Sequence, residues 1–280
     1  MQLSIVIAAA SGEAPVLRCI RSLEAAGAQG FADVIVVTQA SLDLPAWVRL
    51  EVAIGASSFA ALRGRGLEIA QAPRVAILSE DYTVDSAWLE RALANSDADV
   101  VAGVTLPPAD ATLAARAAWL WEYAHLAPPL APGALDESGA TLAPGGNVVY
   151  RRDRVSAQEL RKAGNELAFH RRLYQRGLRF ERDLALTAVY HPPALGEFVR
   201  DRTRWSRAWA RARAAGLSAP ARWTAAATRL LLPPVLLARF AARIVRRPRH
   251  WVSCLAAMPL FAAFACAQAY GEAAAYLHDG

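Results

Sequence analysis

The run Arg74-Val75-Ala76-Ile77-Leu78-Ser79-Glu80-Asp81 passes from an unbroken apolar segment into three polar residues. Its apolar part has the length and branching of a strand covered on both faces, as in a parallel sheet. A strand that stops in acids sets carboxylates on the carboxyl edge of such a sheet, which is where ligands bind. Hard oxygen donors there suit a divalent cation shared with a phosphorylated ligand. The same three residues also suit an exposed turn leading to a helix capped by Asp85 or Ser86.

The flanking sequence repeats the pattern. Upstream, Leu3–Ala10 reads as a buried strand, and Leu17, Ile20 and Leu23 follow at helical spacing with Gly27 to end the helix. Asp33–Thr38 and Arg49–Ile54 read as strands and Phe59–Ala70 as a helix. Downstream come a helix over Ala87–Leu93 and a strand over Asp99–Val104. This alternation predicts a parallel sheet with right-handed crossovers. Leu106–Gly139, rich in Ala and Pro, holds Trp119, Trp121 and Tyr123 and is read as one helix and a loop. Gly145-Gly146-Asn147 opens a strand over Val148–Arg151; a helix over Glu159–Arg176 is ended by Gly177; a last strand lies in Phe180–Val189, closed by His191-Pro192-Pro193.

The C-terminal part differs in composition. Of 280 residues, 55% are apolar, above the usual range for a soluble domain, and the excess follows residue 225. Residues 200–250 hold thirteen arginines against one acid, Asp201, in a chain of net charge +6. Basic residues beside apolar runs point to an anionic membrane surface and away from nucleic acid, which has no use for the apolar runs. Trp251–Gln268 has the length of a marginal membrane span, preceded by Arg246, Arg247 and Arg249 as a cytoplasmic basic collar. Leu230–Ile244, with Pro233-Pro234, Arg239 and Arg243, reads as an interfacial or re-entrant helix. Both stretches also fit a pair of core helices. The expected division is 1–215 for an α/β domain and 216–280 for basic, apolar, membrane-associated helices. Three cysteines, Cys19, Cys254 and Cys266, lack metal-ligand spacing and suit a reducing compartment. Met1-Gln2-Leu3 lacks the basic start of a signal peptide.

Taken in order, these segments resemble family 2 glycosyltransferases over about residues 3–210. The resemblance is carried by Ser4–Ile7, Leu17–Leu23, Asp33–Val37, Leu62–Ala70, Val75–Asp81, Trp88-Leu89, Asp99–Gly103, Gly146-Asn147 and Asn165-Glu166-Leu167 with Gly177. It implies a GT-A fold, a Rossmann-like, mostly parallel sheet with flanking helices. It also implies a nucleotide-sugar donor, a divalent metal (Mn2+ or Mg2+) and inversion at the anomeric carbon.

By that resemblance Asp81 is the metal ligand that closes the family's acidic motif. Ser79 takes the place of its first acid, and Glu80 shares the role. Ser11 and Thr38 fall at the nucleotide-binding loop and after the second strand; Thr38 replaces an acid there. Gly146 and Asn147 join the donor site. Glu166 is the expected general base, a carboxylate whose pKa partial burial would raise, with Asn165 in place of a neighbouring acid. A helix-start glutamate has the same local sequence. His191 stands where a metal or diphosphate contact is found, and also suits a plain loop. Asp201-Arg202-Thr203-Arg204-Trp205 resembles a QxxRW motif without its glutamine, with Arg204 toward the leaving diphosphate; a basic helix lying on lipid fits equally.

The expected activity is that of an inverting glycosyltransferase acting on a lipid-linked or glycan acceptor, with its catalytic domain on the cytoplasmic side of the cell inner membrane. The departures at Ser79, Thr38 and Asn165 equally describe a catalytically impaired relative that serves as a binding or assembly partner. A nucleotidyltransferase would need a glycine-rich phosphate loop, and Ala8-Ala9-Ala10-Ser11-Gly12 is not one.

Overall fold

The computed structural model describes residues 1–56, 58–214, 216–245 and 248–278. They form two compact units, Met1–Leu106 with Leu130–His191, and Pro107–Pro129 with Pro192–Gly280.

Chain order in the first unit is β1 (Leu3–Ala9), α1 (Glu13–Ala25), β2 (Ala32–Thr38), β3 (Arg49–Val52), α2 (Phe59–Ile69), β4 (Arg74–Ser79), β5 (Tyr82–Thr83), α3 (Ser86–Leu93) and β6 (Val100–Leu106). After α4 (Leu113–Tyr123), which belongs to the second unit, come β7 (Gly133–Ala134), α5 (Glu137–Thr141), β8 (Asn147–Arg151), α6 (Ala157–Ala163), α7 (Glu166–Gln175) and β9 (Phe180–Tyr190). The main sheet order is β3-β2-β1-β4-β8-β6-β9-β5. β1 pairs in parallel with β2 and β4, and β2 with β3. β8 runs antiparallel between β4 and β6, and β9 lies parallel to β6.

The apolar runs become strands because both faces are covered. Val6, Ile35, Val75, Ile77 and Val148 share one buried cluster with Leu62 and Leu67 of α2 and Phe169 and Leu173 of α7. Helix α2 lies so close to the sheet that a Cβ at Gly66 would collide with Val6. Ser58 caps α2 through Ala61 N at 3.1 Å, and Asp85 caps α3 through Trp88 N at 2.9 Å.

One expected element divides in two. The helix expected over Glu159–Arg176 stops at Gly164, whose φ of 74° is left-handed. Asn165 then caps a new helix, its side chain accepting from Ala168 N at 2.9 Å. This places Glu166 at the first position of α7.

The second unit contains α4, α8 (Leu195–Ala214), α9 (Ala219–Thr228), α10 (Leu232–Ile244), α11 (Trp251–Ala256) and α12 (Met258–His278). A 3₁₀ turn, Arg229–Leu231, joins α9 to α10 just before Pro233-Pro234, which have no N–H groups to continue an α-helical ladder. α12 packs along α8, closely enough that a Cβ at Gly271 would collide with the Thr203 carbonyl. Trp121 of α4 lies against Phe240, Phe261 and Phe264. That aromatic packing gathers 107–129 with the C-terminal helices, where the sequence suggested a single boundary at 215.

The expected span Trp251–Gln268 is corrected. It breaks at Ala257 between α11 and α12, and Phe261, Phe264 and Ala265 are fully buried. Instead, Ala219–Ile244, in which α9, the 3₁₀ turn and α10 follow one another directly, is the one helical stretch among the described residues that is long and apolar enough to cross a membrane, with 26 residues and a mean hydropathy of 1.3 over its most apolar 18. Arg246 and Arg247 of the expected basic collar lie outside the described residues.

Candidate active site

The parallel register lines up the ends of three strands. Ala9 of β1 stands beside Thr38 of β2, and Ala8 beside Ser79 of β4. Ser11, Thr38, Ser79 and Asp81 therefore belong to one carboxyl edge. Thr38 is buried, and its hydroxyl accepts from Ala40 N at 3.4 Å, shaping the turn after β2. Asp81 is half-buried, at the start of the β5 turn.

Glu80 turns into the protein at that edge. It is fully buried, and its Oε1 accepts from Ala10 N at 2.9 Å and Ser11 N at 3.0 Å. The carboxylate thus fastens the β1–α1 loop to the end of β4. Burial pushes its pKa up, opposed by these N–H groups and by Arg63. The sequence had assigned Glu80 to the donor; here its bonds serve the loop that carries Ser11.

Asp81 and His191 meet where β5 pairs with β9. His191 N donates to Asp81 O at 2.8 Å, and the His191 Nε2 lies 2.9 Å from the Thr83 hydroxyl. The two residues expected to bind metal thus share one corner of the sheet. No group of three or more His, Cys, Asp or Glu among the described residues is placed to hold a metal by itself. A carboxylate and an imidazole nonetheless fit a cation whose other ligands are diphosphate oxygens and water.

Gly145-Gly146 bring the strand end and Glu166 together. Ser79 N donates to Gly146 O at 2.9 Å, and a Cβ at Gly146 would press on Ser79 Cβ at 2.8 Å. A Cβ at Gly145 would overlap the Glu166 side chain. These two glycines provide the close approach that joins the end of β4 to Glu166.

Glu166 does not carry the raised pKa expected of it. Burial acts in that direction, but Arg63 of α2 forms an ion pair with it, and together with smaller contributions holds the carboxyl below its ordinary value. Arg63 is itself buried, with Phe59 stacked under its guanidinium at 5.4 Å. His170 Nε2 and the Tyr150 hydroxyl are 2.6 Å apart, and burial depresses the imidazole to about 4. Arg63 went unassigned from sequence. Its signal was a charge at a buried-face position of α2, beside Leu62 and followed by Gly64 and Gly66.

Asn147, expected at the donor site, has its side chain engaged within the sheet. It is fully buried, and its Oδ1 accepts from Trp88 Nε1 at 2.8 Å. Its Nδ2 donates to Val104 O and Leu186 O, each at 2.9 Å. It occupies the space that Gly103 leaves open, where β6 shifts register against β9. The amide ties β8 to β6, β9 and α3. Arg204 lies on α8 of the second unit, exposed and 3.4 Å from Asp201.

No protein-family model matches the sequence, and no curated protein matches it by sequence. Solved structures do resemble it. The mannosyltransferase PcManGT from Pyrobaculum calidifontis, in complex with GDP-Man and Mn2+, is 17% identical over 99% of this chain and 87% of that one, with a TM-score of 0.51. S. aureus TarS 1-349 in complex with UDP-GlcNAc is 15% identical over 93% of this chain and 78% of that one, with a TM-score of 0.51. In another TarS 1-349 structure the match is 14% identical, spans 73% of this chain and 64% of that one, and has a TM-score of 0.49. The fold of this chain is the GT-A fold.

Proposed function

We propose that this chain is an inverting, family 2-like glycosyltransferase that moves a sugar from a nucleoside-diphosphate donor to a lipid-linked or glycan acceptor. The observation that carries the reading is the convergence of Ser11, Thr38, Ser79 and Asp81 on one sheet edge, with Glu166 brought to it across Gly145-Gly146. Two structural neighbours hold sugar nucleotides, GDP-Man and UDP-GlcNAc, which supports a donor of that class.

In this reading Asp81 and His191 hold the divalent cation, which when bound neutralises the diphosphate as it leaves. Ser11, Thr38 and Ser79 line the nucleoside side, and Gly146 lets the backbone approach the sugar. The acceptor hydroxyl attacks the anomeric carbon opposite the diphosphate. The C–O bond to phosphate breaks, and the hydroxyl proton passes to the Glu166 carboxylate. Arg63 keeps that carboxylate ionised, so it is ready to accept the proton at neutral pH.

We assign the second unit to a membrane surface, and with it a catalytic domain on the cytoplasmic side of the inner membrane and a lipid-linked acceptor. Its support is the apolar helix Ala219–Ile244 and the arginines around it.

A second reading, a GT-A relative that binds and assembles without turnover, is favoured by Glu80 facing inward and by Glu166 being engaged by Arg63. Incubating the protein with nucleotide sugars, Mn2+ and membrane lipid extract separates the two. Release of nucleoside diphosphate, with a product of inverted anomeric configuration, supports transfer; donor binding without any release supports assembly.

A further inference from the structure

The second unit leaves much of its apolar surface uncovered. Ala219–Ile244 is mostly exposed, with Leu230 82% and Leu231 66% accessible. On α10 the 3.6-residue period sets Val235, Ala238, Ala242 and, just past the helix, Val245 along one exposed strip. Arg239 and Arg243, both exposed, follow one margin of that strip. Along the other margin Leu237, Ala241 and Ile244 form one wall of an apolar cleft of about 250 Å³, whose far wall is Trp251, Leu255 and Met258. Trp251 Nε1 donates to Ile244 O at 3.1 Å, which fixes the indole in the cleft wall.

The stretch Ala219–Ile244 is anchored to its own unit midway along, in the 3₁₀ turn just before α10. Glu272 of α12, buried, accepts at Oε2 from Arg213 Nη2 at 2.8 Å, and forms an ion pair with Arg229, whose Nε lies 2.9 Å from the same oxygen. Arg229 also donates to the Tyr276 hydroxyl at 3.1 Å and lies over its ring. Crossing a bilayer would carry Arg229 into hydrocarbon, away from its ion pair with the buried Glu272. A helix held this way, apolar on one strip and basic on its margin, has the form of an interfacial helix.

We propose that α10 lies in the headgroup–hydrocarbon boundary of an anionic leaflet, and that the cleft takes one hydrocarbon chain of a leaflet lipid. The proposal rests on the membrane part of the function proposed above. The exposed strip and Trp251 sit among the chains. Arg239 and Arg243 extend their stems along that surface and place their charges at lipid phosphates.

The test uses the full chain and vesicles of phosphatidylcholine with or without phosphatidylglycerol, their acyl chains brominated to quench tryptophan. Wild type should bind the anionic vesicles, and the quenching should be reduced in Trp251→Phe. Leu231→Glu with Val235→Glu, both at exposed positions, should weaken vesicle binding by about tenfold or more. Ala241→Phe, which fills the cleft, should bind vesicles like wild type yet lose the Trp251 part of the quenching. If Ala241→Phe is quenched as fully as wild type, the cleft holds no chain. If the glutamate pair binds as well as wild type, the face is not the docking surface. Stabilisation by nucleotide sugars, measured on the same proteins, reports on the first unit alone. Its loss with intact vesicle binding would overturn the function, and the converse would overturn this proposal.

Discussion

Arg63 and Glu166, 103 residues apart in sequence, close an ion pair against Gly145 at the edge of the sheet. The pair sets the charge of the residue proposed as general base, which burial alone would have pushed toward neutrality.

Replacing Arg63 by Met should therefore leave a half-buried carboxylate without its partner, at a cost of about 2 kcal/mol or more near neutral pH. Without Arg63 the folded pKa of Glu166 rises above its unfolded value, so protonation at low pH relieves the penalty. Denaturant unfolding should show a larger deficit at pH 7 than at pH 4, with Arg63→Lys recovering part of it. An equal deficit at both pH values would mean that Arg63 acts through packing instead.

Glu166→Gln keeps the shape and removes the proton acceptor. Turnover should fall by about 10²-fold or more while donor affinity changes little. Parallel losses in both would assign Glu166 to binding.

Asn147→Leu should lower stability by about 3 kcal/mol or more, because Val104 O, Leu186 O and Trp88 Nε1 lose their partner in a buried site. Donor affinity of the folded variant should stay near wild type. A large drop in affinity at unchanged melting temperature would restore Asn147 to the donor site.

His170 is buried with a pKa depressed to about 4. Unfolded, it binds a proton near its ordinary value of about 6.5, so the unfolded state holds more protons between those values. Its contribution is fully present above pH 6.5 and is lost as pH falls toward 4, on the order of 3 kcal/mol in all. His170→Gln, which can still bond the Tyr150 hydroxyl, should flatten the stability profile in that window. A profile of unchanged slope would show that another group controls it.

The strands β1, β2 and β4 were legible because each is a short β-branched run whose burial on both faces leaves no other conformation. The carboxyl edge followed from them, and with it the place of Ser79 and Asp81. What was not legible depends on contacts distant in sequence. The inward turn of Glu80 needs the β1–α1 loop, and the role of Asn147 needs the bulge at Gly103. The pKa of Glu166 needs Arg63 from another helix. Likewise the burial of α12 depends on α8, since its composition suits a bilayer and a protein core equally well.

In the proposed function the strand end at Asp81 binds a nucleotide sugar through a divalent cation. Thermal unfolding of wild type and Asp81→Asn, across UDP- and GDP-linked sugars with and without Mn2+, decides whether it does. At least one sugar nucleotide should raise the melting temperature of wild type only when Mn2+ is present, since a ligand that binds the native state alone stabilises it. Asp81→Asn, folded and melting near wild type without ligand, should lose that rise. A rise that is the same without Mn2+, or that survives in Asp81→Asn, would mean that Asp81 holds no such cation.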